Sequence, residues 1–241
     1  MEKICIIIPS RNRSETLEKN TLSFVRTLGI DYLVGVEKSQ EYDCENLIRF
    51  DKDNIGLCKS LDTLVDKAKE NGATLIWKMD DDIKCFTNDI KNSISIIIDA
   101  FERNKKLGGI SFPYSHEFYY PENVLFSHKN ARTQTSYIVR ADLIDYKFEL
   151  GQFEDFYQFI NLRARGYYTL LCSKHKIQCM SVGKPKGGYQ DFNRKIMAFD
   201  AIKKLQNKYP QLNIGIRVKE DKNWYYEPIL NHKLFKKEKL R

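Results

Sequence analysis

No apolar run in this chain approaches the ~20 residues that a helix needs to cross a bilayer, so nothing in it reads as a membrane span. The opening MEKICIIIPSRNR turns polar after five apolar residues, too soon for the core of a signal peptide. The six cysteines, Cys5, Cys44, Cys58, Cys85, Cys172 and Cys179, form no CxxC pair and no disulfide-framework spacing. They read as reduced thiols of a cytosolic protein, most of them packing residues. Internal repeats and low-complexity linkers are also missing, which leaves residues 1–241 as a single domain. What is there is a chain with 42% apolar and 30% charged residues, the composition of a soluble globular protein with a sizeable core. Its net charge of +8 is unevenly spread: the last ten residues, HKLFKKEKLR, carry five Lys/Arg against one Glu. Such a tail is either a solvated terminus or a phosphate-binding arm.

Short β-rich runs alternate with helical patterns through the first half. Lys3–Ile8, stopped by Pro9, fits a strand buried on both faces. Further strands are expected at Asp31–Val36, Leu47–Phe50, Thr74–Met79 and Leu107–Phe112. Helical stripes fall at Leu17, Thr21, Phe24 and Leu28, at Ser60–Glu70, and at Ile94, Ile97, Ile98 and Phe101. The second half predicts an aromatic-rich loop over Pro113–Asn130, strands at Thr135–Val139 and Tyr167–Leu171, and helices at Phe153–Ala164 and Asn193–Lys208. The alternation specifies an α/β protein with a mostly parallel sheet and helices on both faces.

The stretch Leu75–Phe86, LIWKMDDDIKCF, places Asp80, Asp81 and Asp82 directly behind an apolar run. Packed carboxylates repel and are costly to desolvate, so the block either faces water as an acidic turn or is held by a cation. In open α/β sheets ligands bind beyond the carboxyl ends of the strands. Carboxylates there hold hard divalent ions such as Mg²⁺ or Mn²⁺ together with substrate phosphates. Because side chains alternate along a strand, Asp80 and Asp82 reach the same side of its tip. Four further features keep them company. IIIPSRNR ends the first strand with Pro9, Arg11 and Arg13; the second strand ends in Val36-Glu37; NIGLCKSLDTLVDKA sets Lys59 at a loop-to-helix start, a natural place to meet phosphate; and Glu154-Asp155 opens a helix about seventy residues after the aspartates. The N-terminus of that helix is expected to hold the acidic pair ionised.

In this order the features resemble the glycosyltransferases of the GT-A fold, and the resemblance runs to about Gln190. GLCKSLDTLVDKAKENGATLIWKMDDDIKCF, FEDFYQFINLRARGYYTL and PKGGYQ are most similar to the TET-associated group, phage and kinetoplastid enzymes that glycosylate hydroxymethylated pyrimidines, such as hydroxymethylcytosine, in DNA. Where that group often carries Arg-Gln or Arg-Asn after the glycine, this chain has Lys59-Ser60. The resemblance implies a D-x-D element that binds Mn²⁺ or Mg²⁺ and a UDP-linked nucleotide sugar, with Asp82 and Asp80 at the metal and Asp80 or Asp81 at the ribose. It implies that the pair Glu154 and Asp155 supplies the catalytic base, Asp155 foremost, or orients the acceptor if configuration is retained. A cytoplasmic setting follows, the host's if the protein is phage-encoded.

Other positions fill out this expectation. His175, just past a strand, is the best third metal ligand, against a plain surface histidine between Lys174 and Lys176. Lys186, Gly187 and Gly188 would form a lid over the diphosphate or an ordinary turn. Arg11 and Glu37 stand at strand tips as phosphate and nucleobase contacts. Tyr114, Phe118, Tyr119 and Tyr120, followed by His128-Lys129 and Arg132, would stack a base turned out of a duplex or merely anchor their loop. Lys129, Arg132, Lys236 and Lys237 are the expected DNA contacts. The chain then divides into a nucleotide-sugar half (1–112), an acceptor and catalytic half (113–231) and a basic tail (232–241). The alternatives are a glycan acceptor at a cell surface and a non-catalytic nucleic-acid-binding module.

Overall fold

The structure, a computed structural model, describes residues 2–132, 135–148, 150–180, 194–218, 226–231 and 233–240. In chain order the strands are β1 Ile4–Pro9, β2 Asp31–Val36, β3 Leu47–Arg49, β4 Leu75–Lys78, β5 Ile83–Phe86, β6 Leu107–Ser111 and β7 Phe126–Lys129. They continue as β8 Tyr137–Arg140, β9 Tyr168–Cys172, β10 Ile177–Cys179, β11 Gly215–Val218, β12 Tyr226–Ile229 and β13 Glu238–Lys239. The helices are α1 Ser14–Leu17, α2 Ser23–Leu28, α3 Leu57–Glu70, α4 Ile94–Arg103, α5 Glu154–Ala164 and α6 Arg194–Lys208.

Nine strands form one sheet in the order β13-β7-β9-β6-β8-β4-β1-β2-β3. β1 pairs in parallel with β2 and β4, β2 with β3, and β6 with β9. Within this sheet β8 and β7 run against the other strands. The sheet is therefore mostly parallel, as the alternation specifies. Strand β1 explains the layering: Ile4, Ile6 and Ile8 enter one core with Leu22, Val25, Ile97 and Phe101, while Cys5 and Ile7 enter another with Leu61, Leu64 and Val65 of α3. Apolar residues on both faces force helices onto both faces. Gly35 in β2 makes the tightest of these contacts, since a Cβ there would lie 2.6 Å from Phe50 Cζ. A third core joins α5 and α6 through Phe156, Phe159, Ile160, Ala201 and Leu205.

Several elements differ from expectation. The first helical stripe is interrupted: α1 passes into a π-helical turn, Glu18–Leu22, before α2. Helix α3 starts three residues before Ser60, because Gly56 at φ 82° turns the chain into it. The expected loop 113–130 contains β7, and β5 pairs antiparallel with β10 just after the aspartates. All six cysteines are free thiols. Among the described residues no helix is long and apolar enough to cross a membrane.

Candidate active site

Strand β4 ends at Lys78, and the chain then turns through Asp80–Asp82 into β5. The three carboxylates part company in this turn. Asp81 is buried; its Oδ2 accepts from Ser10 Oγ at 2.7 Å and its Oδ1 from Arg13 Nη1 at 3.0 Å. Tyr42 completes the corner, 2.9 Å from Ser10 Oγ and accepting the Arg13 amide at 2.8 Å. Asp81 thus ties the aspartate turn to the end of β1. Asp80 and Asp82 are the more open pair, with side chains 38% and 19% exposed. Arg13 Nη1 lies 3.7 Å from Asp82 Oδ2. The π-helical turn braces the arrangement from below: Thr21 Oγ1 donates to the Asp80 carbonyl at 2.8 Å and accepts the Ile83 amide at 3.1 Å. Single π turns inside helices often mark such functional points.

Lys78 is the center of charge. Its side chain is 2% exposed; Nζ pairs with Asp80 Oδ1, donates to the Thr135 carbonyl at 3.3 Å, and reaches Glu154 Oε1 at 3.4 Å. One buried lysine therefore joins the aspartate turn to the start of α5, 76 residues further on. The two carboxylates more than offset the cost of its burial and hold it protonated. Burial, with Asp155 and Asp80 nearby, raises Glu154 to about 7 despite Lys78. Asp155 is raised as well, chiefly by burial, with Arg132 and Lys78 opposing. Against the expected pull of the helix terminus, desolvation outweighs the helix dipole and shifts both carboxyls upward. Asp82 is pushed to about 7 by burial and by the Asp80 and Asp81 charges. Asp155 Oδ1 accepts the Phe156 amide at 2.8 Å.

The remaining expected residues scatter around this center. Glu37 is buried at the end of β2, 3.2 Å from Arg11 Nε and bonded to Gln40 Nε2 at 3.1 Å, so Arg11 and Glu37 meet as a pair. Pro9 ends β1 opposite Gly35. Lys59, in the first turn of α3, lines a cavity of about 480 Å³ with Gly151, Asp200, Lys203 and Lys204. Arg132 stacks 4.0 Å from the Phe156 ring and faces Glu227, which makes it a neighbor of Asp155. Tyr114 bonds Thr135 through its hydroxyl and is raised chiefly by burial, with Asp80 and Asp155 adding to the shift. Lys186, Gly187 and Gly188 lie outside the described residues.

His175 is not brought to the aspartates. Its ring is fully buried; Nδ1 faces the Asn88 carbonyl at 3.3 Å, and Nε2 lies 2.8 Å from Ser93 Oγ. Both nitrogens serve the packing beneath α4, which corrects the reading of this residue as a metal ligand. Among the described residues no cluster of three or more His, Cys, Asp or Glu stands ready for a metal. Lys78, Ser10, Thr21 and Tyr42 are site residues that sequence reasoning misses. Only Lys78 carries a signal, as the one charge inside the apolar run LIWKM.

No family model and no curated protein sequence matches the chain. Among solved structures it is similar to TarS residues 1–349 from S. aureus, with a TM-score of 0.53 and 11% identity over 88% of this chain and 72% of that one. It is similar also to glucosyl-3-phosphoglycerate synthase from Mycobacterium tuberculosis, with a TM-score of 0.51 and 9% identity over 86% of this chain and 80% of that one. GalNAc-T7 has a TM-score of 0.50 and 9% identity, over 75% of this chain and 44% of that one. These likenesses establish the fold: a mixed α/β sheet of the GT-A glycosyltransferase type.

Proposed function

We propose that this protein is a metal-dependent glycosyltransferase that moves a sugar from a nucleotide sugar to the hydroxymethyl group of a pyrimidine in DNA. The observation that carries the reading is the Lys78 bridge, which sets Asp80 on one side and Glu154 on the other. It unites a strand-end carboxylate turn with a second acidic pair on a fold of this type, and fold alone would not argue activity. The synthase and GalNAc-T7 are each described with Mn²⁺ and a uridine nucleotide. The donor set here fits such an ion, because Asp80 and Asp82 are hard oxygen ligands, and burial together with the neighboring carboxylates already lifts Asp82 to about 7. Bound there with the diphosphate, a divalent ion would supply Lewis-acid stabilisation of the leaving group.

The chain's own residues do the rest. Asp81, locked by Ser10 and Arg13, fixes the turn so that Asp80 and Asp82 face the donor. Lys78 holds Glu154, and with it the first turn of α5, at a set distance from that turn. Asp155 takes the proton of the acceptor hydroxyl as its oxygen attacks the anomeric carbon. The bond to the diphosphate breaks in the same displacement, and the nucleoside diphosphate leaves with the electron pair. A carboxyl raised by burial is a stronger base than one in water. The charge of +8 and the cytosolic reading of six free thiols support an intracellular polyanion as acceptor.

The test is incubation with hydroxymethylated DNA, Mn²⁺ and a panel of nucleotide sugars, followed by nucleoside mass spectrometry. A glycosylated hydroxymethylpyrimidine is the expected product. Metal-dependent donor hydrolysis without transfer to DNA would move the acceptor to a surface glycan. No metal-dependent nucleotide affinity at all would leave a non-catalytic binding module.

A further inference from the structure

Two features that are far apart in sequence meet on the sheet edge farthest from β3. Strand β13, from the basic tail, pairs antiparallel with β7, placing Glu238 opposite Lys129 and Lys239 opposite His128. Lys237 Nζ bonds Tyr120 Oη and lies 4.4 Å from that ring's center and 5.9 Å from Tyr119's. Asn130 Nδ2 fastens the tail again at the Lys236 carbonyl, 3.3 Å away. The tail is thereby folded against the aromatic loop. Phe118 and Tyr119 remain 84% and 71% exposed there, the two most exposed large apolar side chains among the described residues. Lys236, Lys237 and Lys239 of the same tail are exposed.

We infer that this edge is a stacking platform for a single-stranded segment of nucleic acid, with bases on Phe118 and Tyr119 and phosphates at Lys236, Lys237 and Lys239. Water-exposed rings beside lysines match the alternation of flat base and charged phosphate along a strand. A neutral glycan would use the rings but leave three cations idle; a bare polyphosphate would do the opposite. The same loop connects the platform to the site. Tyr114, four residues before Phe118, bonds the Thr135 hydroxyl, and the Thr135 carbonyl accepts from Lys78 at 3.3 Å. A strand stacked at the edge would therefore lie against the loop that leads back through Tyr114 and Thr135 to the Lys78 bridge, and it is unpaired, so its target base is already out of the duplex. The inference rests on the nucleic-acid reading of the acceptor given above.

The experiment is fluorescence-anisotropy binding without donor or metal, using a thymidine oligonucleotide, an abasic oligonucleotide of equal length, and inorganic polyphosphate. The wild-type protein should prefer the thymidine strand to both others. Phe118→Ala/Tyr119→Ala should weaken it by about tenfold for each ring removed, with an unchanged melting temperature as the fold control. Lys236→Ala/Lys237→Ala should flatten the log–log salt slope by about 0.7 for each phosphate that is no longer neutralised. Equal binding of the abasic strand, or no effect of the double aromatic variant, would overturn the platform. Transfer to hydroxymethylated DNA by a protein that fails these tests would leave the acceptor reading standing and the platform wrong.

Discussion

At the strand ends Lys78 is sealed from water between Asp80 and Glu154, whereas at the β7–β13 edge Lys236 stands at the surface and Lys237 lies beside the Tyr119 and Tyr120 rings. The first region is short of solvent and crowded with opposite charges. Burial displaces Asp81 and Asp155 upward in pKa, and Asp82 and Glu154 to about 7. The second leaves Lys236 and Lys239 exposed, holds Lys237 against Tyr120, and is organised by backbone pairing. Buried charge is costly unless paired, and once paired it fixes geometry. Exposed charge is weak singly and adds up only along an extended partner. The comparison therefore assigns geometry to the strand ends and attraction to the edge, and substitutions on the two sides should behave differently in kind.

The largest effect belongs to the site. Asp155→Asn should lower turnover by ~10²–10⁴, the usual loss for a general base, while nucleotide-sugar affinity measured by titration calorimetry stays near wild type. An affinity that collapses together with turnover would move Asp155 to the donor side and erase the division of labor around Lys78.

Next comes the bridge itself. Lys78→Met keeps the volume but leaves Glu154 buried without its cation, which should cost about 3–5 kcal/mol of unfolding free energy. The loss should depend on pH. Glu154 is raised from 4.5 to about 7 in the folded protein, so its protonated form is the one folding favors between those values, and stability falls as pH rises through that window. Without Lys78 its folded value climbs further. Urea denaturation should therefore find the variant closer to wild type at pH 5 than at pH 8; the same deficit at both would show that Lys78 matters as packing and not as charge.

How much of this is visible in sequence differs along the same divide. The parallel strands β1, β2 and β4 are legible because their apolar runs and breakers act locally, and so is the placement of Asp80–Asp82 behind β4. Strand β7, FSHK, carries no strand pattern of its own and exists because β9 and β13 pair with it. No local rule could supply a partner more than a hundred residues away. Thr21 reads as one member of a helical stripe, and the π turn that aims it at the aspartate turn has no sequence marker. His175 misleads for a related reason: its place just past a strand suggests a ligand, but its neighbors in space, Asn88 and Ser93, come from the other half of the chain.

That histidine sharpens the comparison at smaller scale, since it is a buried titratable group held by neutral partners. Burial lowers it from 6.5 in the folded state. The unfolded chain takes up its proton first, so the stability it contributes is complete above 6.5 and is lost as pH falls below that value. The stability difference between wild type and His175→Gln should shrink on acidification below 6.5, by at most about 1.4 kcal/mol per pH unit. A difference independent of pH would mean that the ring is held by its shape alone.

The smallest expected effect lies on the other side of the comparison. Lys236 is exposed, its backbone carbonyl holds Asn130, and an alanine keeps that carbonyl. Lys236→Ala should therefore shift unfolding free energy by less than ~0.5 kcal/mol, the usual range for surface sites, with Lys78→Met run in the same denaturation series. The contrast between two lysines of one chain is the point of the measurement, because both carry the same charge and differ only in what surrounds it. A Lys236→Ala loss approaching that of Lys78→Met would show that the tail is stapled to the sheet by its cations. In that case the β7–β13 edge would be a structural clasp, with its charge already spent on folding and not available to a strand passing over it.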